Sequence, residues 1–162
     1  MLNIPSIPDY EYKERVQKVQ AAMKKEGYDL ILTYGNEAEP QYVRYFSNYW
    51  PSFETAGVLI AQEGDPILLI GPESYTYASD RSKIDRICKL KAFRESSEPE
   101  YPGAKLDTFN TVFEKLLGDK PIKRFGVAGL PLMTIGVYEA LREALAEKSG
   151  VSPDRVAVGN GS

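Results

Sequence analysis

The sequence predicts an α/β domain in which helices cover both faces of a mixed sheet. Short apolar runs of strand length occur at 29–34, 56–61 and 66–70. Segments with apolar residues at helical spacing precede and follow these runs. The stretch Gln62-Glu63-Gly64-Asp65 has the composition of a tight turn and predicts an antiparallel hairpin between the second and third strands. Helices that alternate with strands around one hairpin are typical of a single three-layer domain.

Length and charge restrict the functional classes. The chain has 162 residues, which suits one domain over 1–162 with a core from about residue 9 to 158. A net charge of -3 argues against a nucleic-acid partner. No apolar run approaches the ~20 residues that span a bilayer, so we expect no membrane partner. Cys88 is the only cysteine and the N-terminus lacks a signal-peptide pattern, so we expect a cytoplasmic location.

The chain contains no histidine. Histidine is the usual base for serine and cysteine nucleophiles and a frequent ligand of catalytic zinc and iron. Those mechanisms cannot be complete within these residues. Chemistry by carboxylates, lysine or tyrosine, or at an all-oxygen metal site, stays possible from composition alone, although our expectation for this chain is no catalytic residue, no metal ligand and no cofactor.

In the N-terminal half, Asp9 is a candidate cap for a helix that begins near Tyr10. Its apolar face is formed by Tyr12, Val16, Val19 and Met23. A buried strand follows from Asp29 to Thr33. A short helix or irregular turn is then expected from about Gln41 to Asn48.

Aromatic residues are densest between the first two strands. We expect Tyr42, Tyr45 and Phe46 to belong to the core. Tyr49, Trp50 and Phe53 straddle a proline, and two interpretations stay open for them. They are either core residues or exposed aromatics at the rim of a binding surface.

The C-terminal half continues the alternation of helices and strands. A helix is expected over 73–81, and a strand over 86–93 that points Cys88 inward as a structural core residue. A loop covers 94–105, in which Glu98 and Glu100 are expected to be hydrated.

Two further helices are marked by their caps. Asp107 is the expected cap of a helix that ends at Gly118, and Thr134 begins another that ends at Ser149-Gly150. A strand over 124–128 lies between them, and residues 151–158 form a candidate edge strand.

Three stretches resemble the N-terminal domain of the creatinase/prolidase family, which includes Xaa-Pro dipeptidases and aminopeptidase P. They are Glu11 to Met23, Gly27 to Thr33 and Val43 to Ser47. The resemblance implies a ribonuclease H-like α/β domain that precedes a pita-bread catalytic domain. That second domain carries a dinuclear site for Mn, Co or Zn and is absent from this chain. The implied partners are this C-terminal catalytic domain and a second copy of the chain in a homodimer.

The resemblance also implies site residues. In family homodimers, the segment after the first strand helps to close the active site of the other subunit. Here that segment supplies Tyr49, Trp50, Phe53 and Thr55 as substrate-rim or dimer contacts. Creatinases carry an arginine at the position of Thr55, where a guanidinium can pair with the substrate carboxylate. A neutral hydroxyl cannot make that pairing, so the resemblance favours an Xaa-Pro peptidase over a creatinase.

The sequence raises three function classes. The leading hypothesis is a non-catalytic N-terminal domain of a metal-dependent Xaa-Pro peptidase or creatinase-like hydrolase. The alternative is a free-standing α/β binding module without enzymatic activity, which is distinguished by whether the reading frame continues after Ser162. A ribonuclease H-like nuclease would need carboxylates on neighbouring strands to hold Mg²⁺, and the predicted strand interiors contain none.

Overall fold

A mixed sheet is the middle layer of the computed structural model, which describes residues 6–52, 54–95, 101 and 103–152. The helices of this part of the chain are α1 (Asp9–Glu26), α2 (Gln41–Ser47), α3 (Tyr75–Arg81), α4 (Phe109–Leu117) and α5 (Ile135–Ser149). The strands are β1 (Leu30–Asn36), β2 (Thr55–Ala61), β3 (Ile67–Ile70), β4 (Ile87–Lys89) and β5 (Phe125–Ala128). Short 3₁₀ turns precede α3 and follow β4 and β5.

The strand order in the sheet is β4-β3-β2-β1-β5. β2 is antiparallel to both β1 and β3. β5 is parallel to β1, and β4 is parallel to β3. Four strands therefore end at one edge of the sheet, where β2 begins. We call this the carboxyl edge, and it contains Asn36, Thr55, Ile70, Lys89 and Ala128.

The alternation of side chains along each strand divides the core into two parts. Leu30, Leu32 and Tyr34 of β1 pack with α4 and α5 on one face. Val58 and Ile60 of β2 pack on the other face with residues of α1, α2 and α3. Because both faces are covered, the strands read as continuous apolar runs. The predicted α/β fold with helices on both faces of a mixed sheet is confirmed.

The predicted hairpin and the inward orientation of Cys88 are also confirmed. β2 and β3 pair in antiparallel register, and Gly64 in the connecting turn has a φ of 80°. The Cys88 side chain is buried in the α4/α5 core. Its thiol lies 3.3 Å from the Lys115 ammonium nitrogen, and burial raises its pKa.

Both predicted aspartate caps are wrong. Asp9 is the first residue of α1, after Pro8, and its carboxylate pairs with Lys83 at 2.7 Å. The cap of α4 is Thr108, whose hydroxyl accepts from the Thr111 amide at 3.2 Å. The Thr111 hydroxyl accepts from the Thr108 amide in return, so a reciprocal capping box decides the helix start.

Two element boundaries differ from the prediction. The strand expected over 86–93 is limited to β4, since a 3₁₀ turn at Lys91–Phe93 buries the Phe93 ring beside Gly57. The helix expected over 73–81 begins as a 3₁₀ turn at Pro72–Ser74. Residues 153–158 of the candidate edge strand, together with Glu98 and Glu100, lie outside the described residues.

Candidate functional site

The segment between α2 and β2 lies at the carboxyl edge and contains the site residues that the sequence predicted. We call residues 48–54 the Trp50 turn. In an open α/β sheet, ligands commonly bind beyond the carboxyl ends of the strands. Phe53 lies outside the described residues.

The direction of the Trp50 turn is determined where α2 ends. Asn48 has a φ of 59° and caps the helix with its amide, which donates to the Arg44 carbonyl at 2.9 Å. Asparagine tolerates this left-handed conformation better than most residues. The Ser47 hydroxyl accepts from the Tyr49 amide at 3.1 Å. These bonds turn the chain so that Tyr49 points inward.

Tyr49 is fully buried, with 0% exposure. Its ring packs against Tyr77 of α3 with centroids 5.5 Å apart. Its hydroxyl donates to Oε1 of Glu54. The open question for Tyr49 is therefore answered in favour of the core, and the ring is not an exposed rim contact of this chain.

Glu54 is the functional candidate that the sequence analysis missed. Only 6% of this residue is exposed, and its carboxyl accepts a hydrogen bond from the Tyr49 hydroxyl. Burial raises the pKa of the carboxyl to about 7, against the opposing effects of the Ser74 and Tyr49 hydroxyls. The sequence signal is the position of this acid directly before the largely apolar strand β2.

Trp50 presents an indole ring at the surface, with 41% exposure. Its Nε1 donates to the Glu37 carbonyl at 3.1 Å. The Arg44 guanidinium carbon lies 5.0 Å from the ring centroid, within the range of a cation–π contact. The ring is therefore exposed but held in one orientation. This geometry suits contact with a ligand or another protein surface.

The neighbouring aromatics of α2 are not all core residues. Phe46 is buried as predicted, but Tyr42 and Tyr45 are 39% and 49% exposed, so the prediction is wrong for these two tyrosines. α2 turns Val43, Phe46 and Ser47 inward, and residues 42 and 45 fall on its outer side. Arg15 of α1 stacks on the Tyr45 ring, with its guanidinium carbon 4.4 Å from the centroid.

Thr55 lies opposite Asn36 in the β1–β2 register and is partly buried. Side chains alternate along β2, and Ala56 belongs to the core beneath α1 and α2. Thr55 and Gly57 therefore point to the other face, where Phe93 packs beside Gly57. The structure does not group Thr55 with Tyr49, although both lie at the carboxyl edge.

A groove of about 690 Å³ lies away from these residues, between α1 and the segment that follows α3. Its lining includes the buried side chains of Val16, Phe46 and Ile84. Charged residues of both signs surround it, and Lys83 and Asp9 in its wall are paired with each other. This mixed lining selects no ligand class, so the carboxyl edge is the better candidate site.

The described residues do not fit the metal centre that the resemblance implies for the catalytic half. No group of three or more acids, cysteines or histidines in this part of the chain could hold a metal ion. The helices that the structure describes also include none with the length and apolar character needed to cross a membrane.

A family model for the creatinase/prolidase N-terminal domain matches residues 15–156. No curated protein sequence matches the chain.

Solved structures share the fold. The N-terminal domain of the cytoplasmic peptidase PepQ from Mycobacterium tuberculosis has 18% identity and a TM-score of 0.57, over 84% of this chain and 88% of that chain. The prolidase from Pyrococcus horikoshii has 22% identity and a TM-score of 0.53, over 85% of this chain. The Xaa-Pro dipeptidase from Bacillus anthracis has 20% identity and a TM-score of 0.54, over 83% of this chain. The match spans only 30% and 31% of the last two proteins. The family model matches most of the chain, and the solved structures share its fold. The chain therefore belongs to the creatinase/prolidase N-terminal domain family.

Proposed function

We propose that this chain is the non-catalytic N-terminal domain of a metal-dependent Xaa-Pro peptidase or creatinase-like hydrolase. In this proposal it contributes to a homodimer and lends the Trp50 turn to the rim of the partner subunit's substrate pocket. The observation that carries the proposal is the indole of Trp50, which is exposed at the carboxyl edge and oriented by Glu37 and Arg44. An aromatic ring held in one position can contact a substrate at little entropic cost.

A catalytic domain is the expected partner of this chain. The prolidase and dipeptidase with similar structures are about three times as long as the stretch they share with it. The dinuclear Mn, Co or Zn site belongs to that second domain in our proposal. The described residues of this chain supply no ligand cluster for it.

The proposed substrate class is a peptide with an Xaa-Pro bond. Thr55 is neutral and its side chain points to the opposite face of the sheet from the Tyr49 cluster. It therefore does not offer the cationic contact that creatine's carboxylate would need at this edge. We place the parent protein in the cytoplasm, by analogy with the cytoplasmic peptidase from M. tuberculosis.

The first test is the intact mass of the native protein that carries this N-terminus, captured from its own cells with an antibody against the domain. We expect a mass well above that of 162 residues, as a fused catalytic domain requires. A mass equal to 162 residues would refute the proposal and favour the free-standing binding module.

The second test uses the full-length protein, Xaa-Pro dipeptides and the metals Mn, Co and Zn. Trp50→Ala should raise KM several-fold and leave the bound metal per subunit unchanged, because the ring borders the pocket and does not touch the metal. Lys24→Ala is the matched control, since Lys24 pairs with Glu63 beside the β2–β3 turn at the other edge of the sheet. Equal kinetics for the two variants would contradict the proposed rim, and metal loss in Trp50→Ala would contradict the separation of roles.

A further inference from the structure

Arg44 of α2 is exposed, and none of its guanidinium N–H groups has an acceptor among the described residues. The backbone of the residue is fixed, because its amide donates to the Pro40 carbonyl at 2.8 Å and its carbonyl accepts from the Asn48 amide at 2.9 Å. The guanidinium carbon lies 5.0 Å from the centroid of the Trp50 ring. A cation–π contact therefore holds the side chain and leaves its hydrogen-bond donors unused. We call these two side chains the Arg44–Trp50 pair.

The fixed orientation of the pair distinguishes Arg44 from an ordinary surface arginine. A surface arginine is commonly hydrated, or it pairs with an acid, as Arg81 does with Asp80 at 3.0 Å. The indole that Arg44 contacts is held in turn, since its Nε1 donates to the Glu37 carbonyl at 3.1 Å. Within the described part of the chain, the guanidinium is therefore a positive group that is held in place without a neutralising acid. Such a group suits the recognition of an anion.

The chemistry of the pair favours a carboxylate that is attached to an apolar group. A guanidinium stacks on an aromatic ring through its face, whereas its N–H groups lie in its plane and match the two oxygens of a carboxylate. The contact with Trp50 and a bond to a carboxylate are therefore compatible. The indole is 41% exposed and offers apolar surface beside the guanidinium. An inorganic anion would use only the guanidinium and leave this surface uncovered.

A C-terminal proline contains both parts of such a ligand. Its carboxylate is bonded to a carbon of the apolar ring, so an anion and a ring lie side by side, as the guanidinium and the indole do in the Arg44–Trp50 pair. One further residue would move the carboxylate away by about 3.3–3.6 Å. A charge-assisted hydrogen bond needs about 2.7–2.9 Å between the heavy atoms, so a longer peptide in the same register would lose it.

We propose that Arg44 binds the C-terminal carboxylate of an Xaa-Pro dipeptide while the indole of Trp50 contacts the proline ring. This inference rests on the proposed function, because it names the substrate group that the rim binds. It assigns the parent enzyme to the dipeptidases, which act on a substrate with a free carboxylate after proline. Arg44 contacts the substrate away from the bond that is cleaved, so its loss should weaken substrate binding and leave the metal in place.

The test compares three substrates of the full-length protein loaded with Mn. They are alanyl-proline, its amide alanyl-prolinamide, and the tripeptide alanyl-prolyl-alanine. For the unmodified enzyme, kcat/KM should be higher for alanyl-proline than for the other two by about tenfold or more, the loss expected when a hydrogen bond to a charged group is missing. The KM for alanyl-proline alone should rise with ionic strength, because salt screens an exposed charge.

Three variants assign this preference to Arg44. Arg44→Gln should raise KM for alanyl-proline about tenfold or more and change KM for the other two substrates less than about twofold. Arg44→Lys keeps the charge but loses the two-pronged geometry, so its KM for alanyl-proline should fall between those of Arg44→Gln and the unmodified enzyme. Arg81→Gln is the matched control, since it removes an exposed arginine paired with Asp80 and should leave all three KM values unchanged.

The outcomes separate this inference from the proposed function. Hydrolysis of none of the three substrates would refute the proposed function and this inference with it. Equal kcat/KM for all three, or an equal rise in KM for all three in Arg44→Gln, would overturn this inference alone, because Arg44 would then only orient Trp50. If Arg44→Gln does not fold, Arg44→Lys decides the assignment, and a KM for alanyl-proline that does not rise in this variant would overturn it.

Discussion

Gly129 follows β5 at the carboxyl edge and packs closely against the end of β1. Its φ is 90°, and a Cβ placed on it would lie 2.2 Å from the Tyr34 carbonyl oxygen and 3.2 Å from the Tyr42 ring. Ordinary contacts of a Cβ begin near 3.4 Å, so the overlap with the carbonyl exceeds 1 Å. The obstacle is backbone at the end of a central strand, which cannot rotate away.

The substitution Gly129→Ala should therefore destabilise the folded domain for two reasons. The left-handed backbone costs an L-residue about 1 kcal/mol. Relief of the overlap requires the 129–132 segment to move away from β1, and overpacking of this kind costs about 1–3 kcal/mol. We expect the free energy of unfolding to fall by about 2–4 kcal/mol, a large part of the total for a domain of this size.

Gly27→Ala is the matched control for this prediction. Gly27 has a similar φ of 74°, but nothing lies within 4 Å of the position of its Cβ. Only the backbone cost of about 1 kcal/mol applies there. The assay is urea denaturation followed by circular dichroism on both variants and the parent chain. Equal losses for the two alanines would refute the reasoning, because the close approach at Gly129 would then have no energetic consequence.

Three further predictions concern stability. Since the pKa of Glu54 is about 7 in the folded chain against 4.5 for the free group, the unfolded state loses its proton first as pH rises. The free energy of unfolding should therefore fall between about pH 4.5 and 7 by at most about 3 kcal/mol and then level off, and Glu54→Gln should flatten this profile in pH-dependent urea titrations. Thr108→Ala should cost about 1 kcal/mol by removing the α4 cap, with Thr108→Ser restoring most of it in the same assay. Phe93→Ala should cost about 3–5 kcal/mol, because the buried ring contacts Tyr34 and Phe109 in the core, and a loss below 1 kcal/mol in thermal or urea unfolding would contradict that packing.

The fold was predictable because its signal is distributed over many residues. Strands that are buried on both faces need apolar residues at nearly every position, and β2 and β3 are such runs. Helix faces were harder to predict. Tyr42 and Tyr45 share the helical spacing of Phe46, but α2 has seven residues and only one side of it meets the sheet. The side of α2 that packs on the sheet depends on where the chain leaves β1 and enters β2. No local sequence pattern predicts this.

The aromatic segment could be identified from the sequence, but which of its side chains are buried could not. The segment lies at the carboxyl edge, and Trp50 is exposed there. The burial of Tyr49 depends on the turn at Asn48 and on a hydrogen bond to Ser47, which are single contacts with no periodic signal. Glu54 escaped notice because acids are rarely buried, and the residue types beside it do not reveal that its carboxyl points inward.

The fold signal is distributed over many apolar residues, whereas the Trp50 turn depends on single contacts. This contrast explains how the relatives keep one fold at 18–22% identity. A two-faced apolar sheet tolerates exchange among apolar residues as long as volume and alternation are kept. The Trp50 turn has no such tolerance, because its shape depends on a left-handed residue, a hydroxyl and a carboxyl at fixed positions. We expect a change at any of these to redirect the indole. Under the proposed rim role, we therefore expect differences in ligand preference between family members to be concentrated in this turn.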